Sequence, residues 1–161
     1  MLENGVVEIP LVGYRVDYNE RIRDSRKIWK FPDSFYEEKS IVFPQRPDTV
    51  TIGLPIIKES QKEMLREIKE ILVRNNANYK IILNPMYDQI IFAPEDKEYL
   101  IDLFGENNVV DFTGKNRITD DYHYYRDPGH FNEYVASEVM CIAYEQDSCR
   151  RQRMLDSLYY K

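Results

Sequence analysis

From residue 49 onward, apolar and polar positions switch repeatedly between a two-residue and a 3.6-residue period. Thr49-Val50-Thr51-Ile52-Gly53-Leu54-Pro55 is rich in β-formers and stops at a proline, which predicts a short strand. Behind it Met64, Leu65, Ile68, Ile71 and Leu72 fall on one helical stripe. Ser60 and Glu63 have the spacing of a capping box and predict where that helix starts; Asn75-Asn76-Ala77-Asn78 predicts where it stops. Tyr79-Lys80-Ile81-Ile82-Leu83 reads as a second strand, running into Asn84-Pro85. Pro94 near the first turn and Gly105 just past the end bracket a second helix. Asn108 to Phe112 reads as a third strand, and Phe131 to about Gln146 as a third helix with Tyr134, Val135, Val139, Ile142 and Ala143 inward. Ser148 to Lys161 predicts a short polar helix or a frayed end.

The first 48 residues carry a weaker pattern. They open on the apolar run Val6-Val7-Glu8-Ile9-Pro10-Leu11-Val12. Within the charged stretch from Asp17 to Trp29, the residues Tyr18, Ile22, Ser25 and Trp29 have helical spacing, so a short amphipathic helix is expected there. Pro32, Pro44 and Pro47 with scattered aromatics predict an irregular connection from Phe31 to Pro47. The organisation that follows is one domain over residues 1–161: an irregular amino-terminal segment (1–48), an α/β core (49–146) and a tail (147–161).

Strand, helix, strand, helix, strand, loop, helix is an α/β order. It predicts a three-layer α/β/α arrangement around a mostly parallel sheet. Ligands of such sheets sit beyond the carboxyl ends of the strands. Three segments leave those ends: Pro55 onward, Asn84 to Ala93, and Thr113 to His130. The last two hold most of the polar residues.

Composition narrows the functional classes. A chain of 161 residues can bury about two thirds of its unfolded surface, enough for a real core. The net charge of -6 and the lack of a Lys/Arg run disfavour a nucleic-acid partner. No stretch approaches the ~20 apolar residues of a membrane span, and no signal-peptide pattern opens the chain. Thirteen tyrosines against seven phenylalanines favour amphipathic surfaces suited to a groove or an interface. Cys141 and Cys149 are expected as buried free thiols.

The chemistry concentrates between Asp120 and Asn132, which hold both histidines of the chain, His123 and His130. Asp127 precedes His130 by three residues across Pro128-Gly129. Such a turn can set the carboxylate against one ring nitrogen and leave the other facing a cleft, with His130 opening the last helix. The plainer reading makes Asp127 a turn residue and His130 a capping or half-buried aromatic. His123 with Asp120, Asp121, Asp127 and His130 makes a His/Asp cluster with donors for a divalent cation, but Asp-Asp followed by Tyr-rich sequence reads equally as a solvated loop; no metal or cofactor is expected. Asn84, Tyr87 and Asp88 stand at a strand end where a substrate would be contacted, against the plainer roles of Asn84-Pro85 as a turn and Tyr87 as a packing aromatic. Arg126 is placed either to hold an anionic group or to pair with Asp120 or Asp121.

Asp127-Pro128-Gly129-His130 ahead of the last helix resembles the final Asp-x-x-His block of SGNH-type (GDSL-like) esterases and acyltransferases. Ile82-Leu83-Asn84-Pro85-Met86-Tyr87-Asp88-Gln89 is similar to the strand-then-proline segment of cell-envelope members. Asp111-Phe112-Thr113-Gly114-Lys115-Asn116 with Ile118-Thr119 is similar to the strand and loop before their Asp-x-x-His. The resemblance covers roughly residues 49–146. It implies a flavodoxin-like parallel sheet, incomplete if the chain belongs to a larger whole. It also implies His130 as general base, Asp127 as its orienting partner, and an acylated small molecule or envelope carbohydrate as substrate. The family's Gly-Asp-Ser block is nowhere in the chain. Its serines are Ser25, Ser34, Ser40, Ser60, Ser137, Ser148 and Ser157. Ser60 reads as a helix cap and Ser137 as a helical residue facing away from the turn, so the isolated chain is expected to lack esterase activity. The alternatives are a non-catalytic module that binds a glycan or a protein, and a half-domain whose exposed sheet edge pairs with a second copy.

Overall fold

The computed structural model describes residues 6–9, 14–17, 32–39, 41–46 and 48–159. Its elements in chain order are β1 (Val6–Ile9), β2 (Tyr14–Asp17), α1 (Pro32–Lys39), α2 (Glu59–Arg74), β3 (Ile81–Leu83), α3 (Pro94–Phe104), β4 (Val109–Asp111), α4 (Arg117–Asp120), β5 (Tyr125–Asp127), β6 (His130–Phe131), α5 (Glu133–Ala143) and α6 (Ser148–Tyr159). Short 3-10 turns at Glu106–Asn108 and Tyr122–Tyr124 precede β4 and β5.

The chain is a mixed α/β protein. β3 and β4 pair in parallel, with Ile81 opposite Val109 and Leu83 opposite Asp111, and Phe112 N–H extends the ladder to the Leu83 carbonyl at 2.9 Å. Parallel strands need a crossover, and α3 supplies it. The two-residue period of the strands then divides their side chains between two faces. Ile81, Leu83 and Val109 join Leu65 and Leu72 of α2 and Leu100 and Phe104 of α3. Ile82 and Val110 face the opposite way, onto Ile118, Val135 and Val139 and the buried Leu158 of α6. Both faces of this small sheet are thus covered by helices.

The helix ends follow local chemistry. Pro94 opens α3 and Gly105, at φ 90°, closes it. α2 starts two residues before the expected cap: Lys58 is its N-cap, and the Gln61 side chain accepts the Lys58 N–H at 3.2 Å. Ser60, expected as the cap, lies inside the first turn. Asn132 caps α5 by accepting Val135 N–H at 3.1 Å, so the last helix starts after Phe131 rather than at it.

Several expectations are corrected. The stretch from Phe31 to Pro47 contains a helix: Pro32 at its first position and Asp33 in its first turn start α1, which buries Phe35 and Tyr36 against Ile41 and Phe43. Among the described residues Thr49 to Pro55 makes only an isolated parallel bridge, Ile52 to Ile91, because of these residues Ile91 alone offers backbone partners beside it. Tyr134 is half exposed, while its neighbour Val135 is fully buried. Cys141 and Cys149 are both exposed and free, on different helices. The helix expected over Asp17–Trp29 lies outside the described residues, except Asp17, which ends β2. The tail is the helix α6, anchored by Leu158.

Phe112 stands where β4 enters its loop and is fully buried. Phe112→Ala is expected to cost about 3–5 kcal/mol in chemical denaturation. Met64→Ala, on the exposed flank of α2, is expected to stay within about 0.5 kcal/mol of the parent.

Candidate functional site

Asp127 ends β5 and His130 begins β6, with Pro128-Gly129 closing an antiparallel hairpin between them. His130 therefore sits in a strand and does not open the last helix. The Asp127 Oδ1 atom accepts two hydrogen bonds, from Gly129 N–H at 2.9 Å and from His130 Nδ1 at 2.8 Å. The first fixes the carboxylate to the turn, and the second fixes the imidazole to the carboxylate. Nε2 of His130 has no partner among the described residues, and the ring is 77% exposed. Partial burial alone would raise the Asp127 pKa. The hydrogen bonds from His130 and Gly129, helped by the charges of His130 and Arg126, outweigh it and hold the carboxyl below the ordinary range.

The second histidine is arranged differently. His123 Nδ1 lies 2.7 Å from Asp121 Oδ1 and Nε2 lies 3.4 Å from Asp33 Oδ1 on α1, while the ring packs on Tyr122. Both nitrogens face carboxylates. A general base needs a nitrogen open to the proton it takes. His130 meets that condition and His123 does not. Among the described residues no group of three or more His, Cys, Asp or Glu side chains is placed to hold a metal ion.

The loop carrying the hairpin is held by a buried polar knot. Asn116 accepts Ile118 and Thr119 N–H at 2.9 and 3.1 Å and donates to the Phe112 carbonyl at 2.9 Å. Arg46 lies over the Tyr87 ring at 4.3 Å, and its guanidinium donates to the carbonyls of Tyr87, Thr119 and Asp120. Tyr36 of α1 donates to the carbonyls of Tyr122 and Tyr125. The Tyr125 hydroxyl, two residues before Asp127, donates to the Pro85 carbonyl at 2.9 Å. This bond ties the hairpin to the end of β3.

Beyond that end lies a cleft of about 590 Å³, lined by Leu54, Ile56, Met86 and Ile90 with Asn84 and Thr113 among its polar groups. Its position beyond a parallel strand is where ligands of such sheets bind. Asn84 is therefore at a cleft. Tyr87 is buried, with its ring between Phe43 and Tyr125 under Arg46, and Arg126 is half-buried beside Asp127. The structure brings Asp127, His130 and Arg126 together on the hairpin. It leaves Asn84 in a cleft whose lining does not include them.

No family model, curated protein or solved structure matches the chain.

The sequence does not point to Arg46, and it places Asn116 and Thr119 in the loop before Asp127 without assigning them a bracing role. Asn116-x-x-Thr119 has capping-box spacing and was readable as the start of α4. Nothing near Arg46 in the sequence points to its three carbonyl acceptors, which lie 41 to 74 residues away.

Asp127 is expected to titrate below an ordinary aspartate, as read by carboxyl chemical shifts against pH. In His130→Ala the midpoint is expected to move upward, because the hydrogen bond and the imidazolium charge are both lost. An unmoved midpoint would show the pair to be uncoupled. Since the folded pKa is the lower one, the pair's contribution to stability is full above the unfolded aspartate pKa. It fades as pH falls through the folded pKa.

Proposed function

We propose that this chain is an SGNH-type α/β domain related to ester hydrolysis or acyl transfer, with His130 as general base and Asp127 as the residue that positions it. The observation that carries the reading is the 2.8 Å bond from His130 Nδ1 to Asp127 Oδ1 with Nε2 left open. A triad needs this half: the carboxylate selects the tautomer with the proton on Nδ1, so that Nε2 can take a proton from a hydroxyl. The parallel pair with helices on both faces supports a three-layer, flavodoxin-like sheet of which β3 and β4 form part.

The nucleophile is not among the described serines. Ser137 Oγ donates to the Glu133 carbonyl one turn back, Ser157 Oγ to the Met154 carbonyl, and Ser60 Oγ to Gln61. Ser34 and Ser148 lie in α1 and at the start of α6. None stands on a strand-to-helix turn of the kind that exposes a nucleophile. In this reading the serine comes from polypeptide outside these residues or from another chain. The acylated substrate is presented to the open Nε2 of His130, outside the cleft beyond β3; an acylated carbohydrate of the cell envelope is the class we favour. Among the described residues no helix is long and apolar enough to cross a membrane.

The lack of a nucleophilic setting for any described serine also favours a second reading, a module that binds a glycan in the cleft beyond β3 without turnover. Hydrolysis of p-nitrophenyl acetate separates the two. The chain alone is expected to show no acyl-enzyme burst and no rate beyond that of free imidazole. When joined to a serine-bearing segment, it is expected to turn over. There His130→Ala should lower kcat by about 10²–10⁴-fold, and Asp127→Asn should lower it within the same range. Turnover indifferent to His130→Ala would sink the esterase reading, and glycan binding with no turnover in the joined protein would favour the module.

A further inference from the structure

Residues 49–57, Thr-Val-Thr-Ile-Gly-Leu-Pro-Ile-Ile, carry no charge in a chain that is 31% charged. Their conformation is set by one neighbour. Ile91 N–H donates to the Thr51 carbonyl at 2.9 Å and Gly53 N–H donates to the Ile91 carbonyl at 2.8 Å. Successive residues of an extended segment turn their backbone groups to opposite edges. With Thr51 and Gly53 facing Ile91, the N–H and C=O groups of Val50, Ile52 and Leu54 face the other edge. None of these six groups has a partner among the described residues. The side chains of the same three residues and of Ile56 share one face and are 57–83% exposed.

Proteins usually guard such an edge with charge, an inward lysine or a proline. Here the one candidate guard, Pro55, lies at an odd position, so its missing N–H falls on the Ile91 side. The outer edge is left open and apolar.

We propose that this edge is a homodimer interface, in which a second copy of the chain adds its own Val50–Leu54 segment antiparallel about a two-fold axis at Ile52. In that register Ile52 faces the partner's Ile52, Val50 faces the partner's Leu54, and all six open backbone groups are satisfied by three reciprocal pairs. On the exposed face every directly opposed side-chain pair is apolar on apolar, which is the stabilising arrangement across strands, while on the other face Thr51 meets the partner's Gly53. Moving the axis to residue 53 would set Val50 opposite the partner's Ile56. The Ile56 N–H is already committed to Asp96 Oδ2 at 2.7 Å, so that register loses a bond. The symmetric contact closes on itself and does not propagate. Leu54 and Ile56 also line the cleft beyond β3, so the partner's strand borders that cleft in the dimer. The contact stands or falls independently of the His130 chemistry.

The edge is smaller than the ~800 Å² a side of a standard-size interface, so association is expected to be weak, in the micromolar range or above. Sedimentation or light scattering of the full chain from about 5 µM to about 500 µM is expected to show the mean mass rising from one chain toward two. Over the same range, amide exchange at Val50, Ile52 and Leu54 is expected to slow. Leu54→Lys sets a lysine against the partner's Val50 on both sides of the axis and so removes two apolar pairs, on a side chain that is 83% exposed, so folding is untouched; association should fall at least tenfold with an unchanged circular dichroism spectrum. Ile68→Lys, on the exposed flank of α2, should leave association as it was. A mass that stays at one chain to 500 µM overturns the proposal. So does a dimer that survives Leu54→Lys or is lost with Ile68→Lys.

Discussion

The structure depends on a parallel ladder only three residue pairs long, from Ile81–Val109 to Leu83–Asp111. A parallel pair cannot be closed by a tight turn, so the chain must cross over through α3 before β4 begins. That constraint puts both carboxyl ends on one side of the molecule. It therefore places Asn84-Pro85 and Thr113-Gly114 together where β3 and β4 stop. Lys97 of α3 reinforces the arrangement by reaching Asp111 at the end of β4 at 2.7 Å. Asp111 is also held by the Thr113 hydroxyl and N–H, and these bonds with Lys97 keep its carboxyl charged despite the opposing effect of burial. So short a ladder contributes little by itself. Its value is topological, because it decides which loops meet.

What those loops build is fixed by polar groups that have no water to turn to. A buried amide or hydroxyl left unpaired costs more than a made hydrogen bond returns, so such groups specify one arrangement sharply. Asn116 and Thr119 satisfy each other, the start of α4 and the Phe112 carbonyl within eight residues of the end of β4. Arg46 then joins that turn to the Tyr87 carbonyl at the far side of the β3 loop. Tyr36 and Tyr125 extend the same bracing to the hairpin. Asp127 and His130 are thus carried on a short hairpin whose base is pinned at several points, while its tip, Pro128-Gly129, faces solvent. Rigid support below an exposed tip is what an oriented imidazole requires.

The parts legible in the sequence were those set by neighbours in the chain. Pro94 and Gly105 bracketed α3 because helix ends are local chemistry. The apolar runs Ile81-Ile82-Leu83 of β3 and Val109-Val110 of β4 were readable because both faces of a covered parallel strand are apolar. Asp127 and His130 were found for the same reason: three residues and a turn suffice to bring them together. α1 was missed because Pro32, Pro44 and Pro47 together have the composition of a loop, although Pro32 occupies a first helical position where proline is allowed. Thr49–Pro55 carried a strand's composition, yet a strand needs partners, and within the described residues Ile91 alone provides one. Composition reports what a segment tolerates; pairing depends on what lies beside it.

The two histidines show how the same local rule yields different chemistry. Each is held by an aspartate close in sequence: Asp121 two residues before His123, and Asp127 three residues before His130. Spacing alone therefore ranks them equally. They are separated by α1, a helix some 90 residues earlier in the chain, whose Asp33 faces the remaining nitrogen of His123. No described element does the same to His130. The difference between a braced imidazole and an available one thus rests on a long-range packing decision, the docking of Phe35 and Tyr36. The nucleophile poses the same problem in stronger form. A serine has chemistry only where the fold lifts it onto an exposed turn beside a base, and each described serine whose hydroxyl bond is resolved spends it on its own helix. A hydrogen-bonded Asp–His pair can be built from four consecutive residues, as Asp127 and His130 show. An exposed serine on a strand-to-helix turn requires elements brought from elsewhere, and no described serine has that setting.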